Sequence, residues 1–96
     1  MLVGRKGSKK RRKKCYRALE FGYDLNSEPK EISAFLGNLG KLEVREEDSI
    51  LYSMWIKTKD GRKICAGQIL LKDYWNKKIL SFDPTIFYEW FEEWNI

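Results

Sequence analysis

Histidine is missing altogether, and the chain of 96 residues holds only two cysteines. Without histidine, acid–base chemistry near neutral pH loses its usual side chain and falls to Asp, Glu, Lys or Tyr. A zinc site would need two cysteines plus carboxylates, and Cys15 and Cys65 lie outside any Cys-x-x-Cys pair. Both fall in strand patterns and read as small buried apolar residues. A disulfide between them would require their strands to be neighbours, and nothing points to an oxidising compartment. No apolar run approaches the ~18 residues of a membrane span. No apolar stretch follows the early cations, so no signal peptide is expected. Paired-carboxylate motifs, a glycine-rich phosphate loop and a nucleophile elbow are also lacking. The expectation is therefore a soluble, intracellular non-enzyme with no catalytic residue, metal or cofactor. Its compartment would be the cytoplasm or nucleoid, or the nucleus in a eukaryote.

What is present is charge, unevenly spread. Residues 1–14 hold Arg5, Lys6, Lys9, Lys10, Arg11, Arg12, Lys13 and Lys14 with no acid, so against a net charge of +5 the remaining residues sum to −3. A segment so charged cannot bury enough apolar surface to fold alone. Residues 1–14 are thus expected to be a flexible basic arm and residues 15–96 a single α+β domain. Such an arm neutralises phosphates and releases counterions, which predicts salt-dependent docking on nucleic acid or a nucleoprotein. A nuclear-import signal, a solubilising tail, or an arm folded back on acidic surface are the competing uses of the same charges.

The stretch from Ser49 to Lys72 reads as a β-hairpin turning at Asp60-Gly61, a favoured pair for a two-residue loop. That turn would pair Lys59 with Arg62, Lys57 with Ile64, Ile56 with Cys65 and Trp55 with Ala66. One face then carries Ile50, Tyr52, Met54, Ile56, Cys65, Ile69 and Leu71 and must face the core. The other carries Trp55 beside Lys57, Lys59 and Arg62, a combination that suits stacked bases and phosphates. The plainer alternative packs Leu51, Ile64 and Leu70 under a helix while the lysines rim the turn.

Cys15 to Tyr23 alternates as a strand. Pro29 suits the first turn of a helix whose Ile32, Phe35, Leu36 and Leu39 form an apolar stripe, with Gly40 as its stop. Lys41 to Arg45 reads as a strand with Leu42 and Val44 inward. Asp73 to Lys78 is a loop, and Ile79 to Phe82 a last strand. Asp83-Pro84 opens a second helix with Ile86, Phe87, Trp90, Phe91 and Trp94 on one broad face. The predicted order is β-α-β-β-β-β-α, with one antiparallel sheet of four to five strands and both helices mainly on its apolar face.

The order of a helix, antiparallel strands and a second helix over residues 29 to 95 resembles the double-stranded-RNA-binding domain. In that family the second helix begins with lysines on the RNA. Here it begins Asp83-Pro84 and stays acidic, so none of that family's binding residues carries over.

A protein partner is the alternative. Trp55, Tyr74 and Trp75 are expected to include exposed rings, and exposed aromatics anchor interfaces. Glu89, Glu92 and Glu93 line the second helix, and the last two oppose its dipole unless a cation sits close. Together they would grip a basic patch on a nucleic-acid-handling enzyme. That would make the chain a small inhibitor or regulator of phage or mobile-element type, such as an anti-CRISPR or a polymerase inhibitor.

Overall fold

A computed structural model describes residues 1–7, 15–22, 28–46 and 52–94. The chain runs β1 (Leu2–Arg5), β2 (Tyr16–Phe21), α1 (Pro29–Leu36), β3 (Gly40–Glu46), β4 (Tyr52–Thr58), β5 (Lys63–Cys65), β6 (Gln68–Asp73), β7 (Lys78–Phe82), α2 (Pro84–Trp90) and β8 (Phe91–Glu93). The α+β class with two helices is as the sequence predicts. The strands, however, form two antiparallel sheets: five strands in the order β7-β6-β2-β1-β8, and three in the order β3-β4-β5.

The five-stranded sheet has apolar side chains on both faces, because β2 and β6 alternate between two clusters. On one face Phe21 and Leu70 join Ile79, the helix residues Ile32 and Leu36, and Met54, Ile56 and Ile64 of the small sheet. On the other face Ala18, Ile69 and Leu71 join Val3, Phe87 and Phe91. The two helices therefore cover opposite faces, where the sequence suggested one. Lys72 fastens α1 by donating from Nζ to the Phe35 carbonyl at 2.8 Å, a cation on the free carbonyls of a helix C-terminus. Tyr88 fastens α2 by donating its hydroxyl to Glu20 Oε1 at 2.9 Å.

Four expectations are corrected here. The first concerns the arm: Leu2–Arg5 form β1, pairing with β2 on one side and β8 on the other. Val3 is fully buried, so two aliphatic residues suffice to seat a strand where neighbours on both sides take up its backbone groups. Residues 8–14 lie outside the described part of the chain. The second concerns α2, which ends at Trp90 and does not run on through Trp94. Phe91 (4 % exposed) and Trp94 (2 % exposed) are instead buried from an extended segment. Glu92 and Glu93 thus lie on a strand, and no helix dipole acts against them. The added strands and the interposed β5 also end the likeness in element order to the double-stranded-RNA-binding domain.

The third correction is the hairpin register. Trp55 pairs with Cys65, Ile56 with Ile64 and Lys57 with Lys63, one residue out of step with a two-residue turn. The loop has three residues: Gly61 N–H donates to the Thr58 carbonyl at 3.0 Å, Thr58 N–H donates to the Arg62 carbonyl at 2.9 Å, and Gly61 takes φ +90°. A slip of one residue reverses every side chain on the second strand. Ile64 is consequently buried, and Cys65 is exposed where the sequence suggested a buried thiol. The chain then breaks at Gly67 (φ +100°), whose N–H donates to the Phe21 carbonyl at 2.7 Å, and enters the other sheet as β6. The fourth correction is smaller: α1 stops at Leu36 with Gly37 as its cap, and Gly40 opens β3. Val44 shares the inward parity of Leu42 but lies past the core and is 55 % exposed.

Candidate nucleic-acid interface

The three-stranded sheet buries one face, through Met54, Ile56 and Ile64, and leaves the other open. Alternation puts the odd-numbered residues of β3, β4 and β5 on that open face. Register arranges them in rungs across the sheet: Lys41, Lys57 and Lys63 lie side by side, and Glu43, Trp55 and Cys65 form the next rung. Arg45 beside Ser53 makes a third. The lysines, Arg45 and Cys65 are exposed, while Glu43, Ser53 and Trp55 are half-buried. Among the described residues four cations therefore face one acid around a central indole.

Electrostatics makes the lysine rung costly. Like charges directly opposite on a sheet destabilise it, each pair by about 0.2–1 kcal/mol against a neutral pair. Lysines on edge strands have an ordinary purpose, which is to discourage pairing with other chains. That explains Lys41 and Lys63 but not Lys57, because β4 is the central strand. Lys63 finds partial relief, its Nζ standing 5.1 Å from the centroid of the Trp55 ring. Where the rung meets the sheet end, Asn38, Lys41, Glu43, Lys57 and Lys59 line a shallow cleft of about 270 Å³.

Arg62 is engaged elsewhere. Its Nε donates to both carboxylate oxygens of Asp60, at 2.9 and 3.1 Å, and its guanidinium also donates to the Ile79 carbonyl. Thr58 orders the same turn, its hydroxyl accepting from Arg62 N–H at 2.8 Å and donating to Asp60. These bonds, first from Thr58 and then from Arg62, hold the Asp60 carboxyl below its ordinary value. Lys59 is exposed on that turn.

Of the other residues singled out in the sequence, Arg5 lies in β1 with its guanidinium 5.9 Å from the Trp90 ring centroid. Lys6 follows, its N–H donating to the Trp90 carbonyl at 2.9 Å. Lys9, Lys10, Arg11, Arg12, Lys13 and Lys14 lie outside the described residues. Tyr74 (50 % exposed) and Trp75 (60 % exposed) occupy the β6–β7 turn, with Trp75 edge-on to Tyr16 at 5.6 Å. Asp73 builds that turn by accepting from the N–H groups of Trp75 and Asn76, each at 3.1 Å, and from Asn76 Nδ2 at 2.7 Å. Glu89, Glu92 and Glu93 are exposed on α2 and β8. Trp55 and Lys57 are thus brought together, while Arg62, Arg5 and Lys6 are not.

Lys41, Glu43, Arg45 and Lys63 were not among the residues singled out in the sequence. The alternating polar positions of Lys41, Glu43 and Arg45 were legible as the outer side of a strand. What the sequence did not say is that this strand lies beside Trp55.

Comparison with protein-family models, with curated proteins and with solved structures finds no match. Among the described residues no helix is long and apolar enough to cross a membrane.

Proposed function

We propose that this chain is a non-enzymatic binding protein that docks on nucleic acid, alone or within a nucleoprotein, through the open face of the β3-β4-β5 sheet. One observation carries the reading: three lysines held in register across that face, against their mutual repulsion and next to a half-buried tryptophan. A polyanion relieves the repulsion and an aromatic platform suits bases. The six cations of residues 9–14 add attraction from outside the described part of the chain.

Fluorescence anisotropy with a labelled oligonucleotide across a salt series tests this. If three to four phosphates are neutralised at the face, log K falls against log salt with a slope of about −2 to −3, and more steeply if residues 9–14 also engage. K57E/K63E should weaken binding and flatten the slope; binding that ignores this double substitution removes the proposal. K57T separates function from architecture, because it should lose affinity while the fold gains roughly 0.2–1 kcal/mol from the relieved repulsion.

A second reading, a protein-protein inhibitor or regulator of a nucleic-acid-handling enzyme, is favoured by a different observation. Ile86 and Trp90 are exposed one helical turn apart on α2, and Trp90 directly precedes the edge strand β8 with its exposed Glu92 and Glu93. Pulldown with and without nuclease discriminates: capture that survives nuclease and K57E/K63E, but not W90A, supports this second reading.

A further inference from the structure

Resting on the nucleic-acid reading, we infer that the ligand is single-stranded, with an unpaired base stacked on Trp55 and its backbone following the Lys41–Lys57–Lys63 rung. The shape of the face argues first. It is a sheet of three strands, and among the described residues neither helix is offered to a major groove, since α1 packs in the core with the buried face and α2 lies on the far face of the other sheet. In a duplex the flat faces of the bases are hidden inside the stack, so an indole lying on a sheet reaches them only when the strand is open.

The charges then fix how the strand lies. Neighbouring rungs on one face are two residues apart along the strand, about 7 Å, a reach suited to a phosphate on one rung and its base on the next. The lysine rung attracts phosphate. Glu43, at one end of the Trp55 rung, repels it. Bases are therefore directed over Trp55, and the backbone over the lysines. The Lys63 ammonium now sits above the indole at 5.1 Å. An incoming base takes its place, and the freed ammonium moves onto the phosphate of the same nucleotide. One exposed cation–π contact is exchanged for a stack and a charge-assisted hydrogen bond. Cys65, across from Trp55 on the same rung and exposed, would be covered by the bound strand.

The test compares a labelled single-stranded twelve-mer, as DNA and as RNA, with a hairpin duplex of equal charge, using the full chain. The expected result is tighter binding of the single strand in at least one sugar form. W55L should then lose roughly 5- to 150-fold in affinity, the range for one stacked base, and W55F distinctly less. Thermal unfolding of each variant checks that the fold survives. A measurement on the unaltered protein backs this up: the single strand should slow alkylation of Cys65, and the duplex should not. Equal or tighter duplex binding, or W55L binding like the unaltered chain, overturns this inference. If K57E/K63E still abolishes binding in that case, the nucleic-acid reading stands. Failure of the unaltered chain to bind either ligand overturns both.

Discussion

Replacing Gly4 by alanine would strike the part of the fold least expected from the composition, a strand within the basic N-terminal stretch. A Cβ there would stand 2.0 Å from Cζ2 of Trp94 and 2.1 Å from its Cε2, inside any tolerable contact. The indole has little room to yield, since Trp94 is 2 % exposed and its backbone N–H donates to the Leu2 carbonyl at 2.9 Å. A small shift of packed neighbours costs about 1–3 kcal/mol. Complete ejection of the ring returns roughly 150–250 Å² to water, or about 4–6 kcal/mol at 25 cal/mol per Å². Hydration of the indole N–H, buried without an acceptor among the described residues, offsets part of that larger figure. The expected loss is about 2–5 kcal/mol, a Tm lower by roughly 8 °C or more for a domain of this size. Urea unfolding followed by far-UV circular dichroism measures it, with an unchanged m value expected. The same substitution in a W94L background should cost nothing, or stabilise by about 0.5 kcal/mol, because alanine is the better strand residue. A coupling energy near 2 kcal/mol or more is thus expected from the cycle. Should G4A lie within about 0.5 kcal/mol of the unaltered chain, or add simply to W94L, β1 is not docked under Trp94.

Asp73→Ala removes three hydrogen bonds to a carboxylate in the β6–β7 turn and should cost about 1.5–3 kcal/mol in thermal unfolding; a loss under about 0.5 kcal/mol would dismiss the turn geometry. Burial alone would push the Asp73 carboxyl up, but bonds from the Asn76 side chain and from the N–H groups of Asn76 and Trp75 outweigh it and hold the group below 3.8. With the folded value below the unfolded one, the unfolded chain binds more protons in acid. This contribution is therefore complete above the unfolded pKa and fades as pH falls through the folded one, a limb of the stability profile that Asp73→Asn should lack. Cys65 should react with a maleimide in the native protein faster than the half-buried Cys15, as the three-residue turn requires. A protected Cys65 would return the hairpin to the two-residue register.

Local chemistry was legible wherever it acts within a few residues. Asp83 caps α2 by accepting from Thr85 N–H at 3.0 Å, with Pro84 behind it, as the sequence indicates. The helix start at Pro29 is likewise local and falls where expected, and Asp60-Gly61 lie in the expected turn, which is one residue longer than the sequence suggested. Not legible were events whose energy comes from distant partners. The longer turn brings Ile64 into the core with Phe21, Leu70 and Ile79, and that one residue moves Lys63 onto the face of Trp55. Phe91 leaves the helical pattern because its backbone pairs with Arg5 of β1, far away in sequence.

Taken alone, the sequence placed β2, β3, β4, β7 and the starts of both helices, and put Trp55 and Lys57 on one face; it did not place β1 or β8, and it turned the wrong side of β5 to the core. Tertiary structure decided which strands lie together. It drew Leu2–Arg5 into a sheet, divided the strands between two sheets, and set Lys41 and Lys63 on either side of Lys57. The physical reason is one of range. Dihedral preference and alternation are written in neighbouring residues, whereas the choice of strand partners depends on apolar burial and backbone pairing summed over the whole chain.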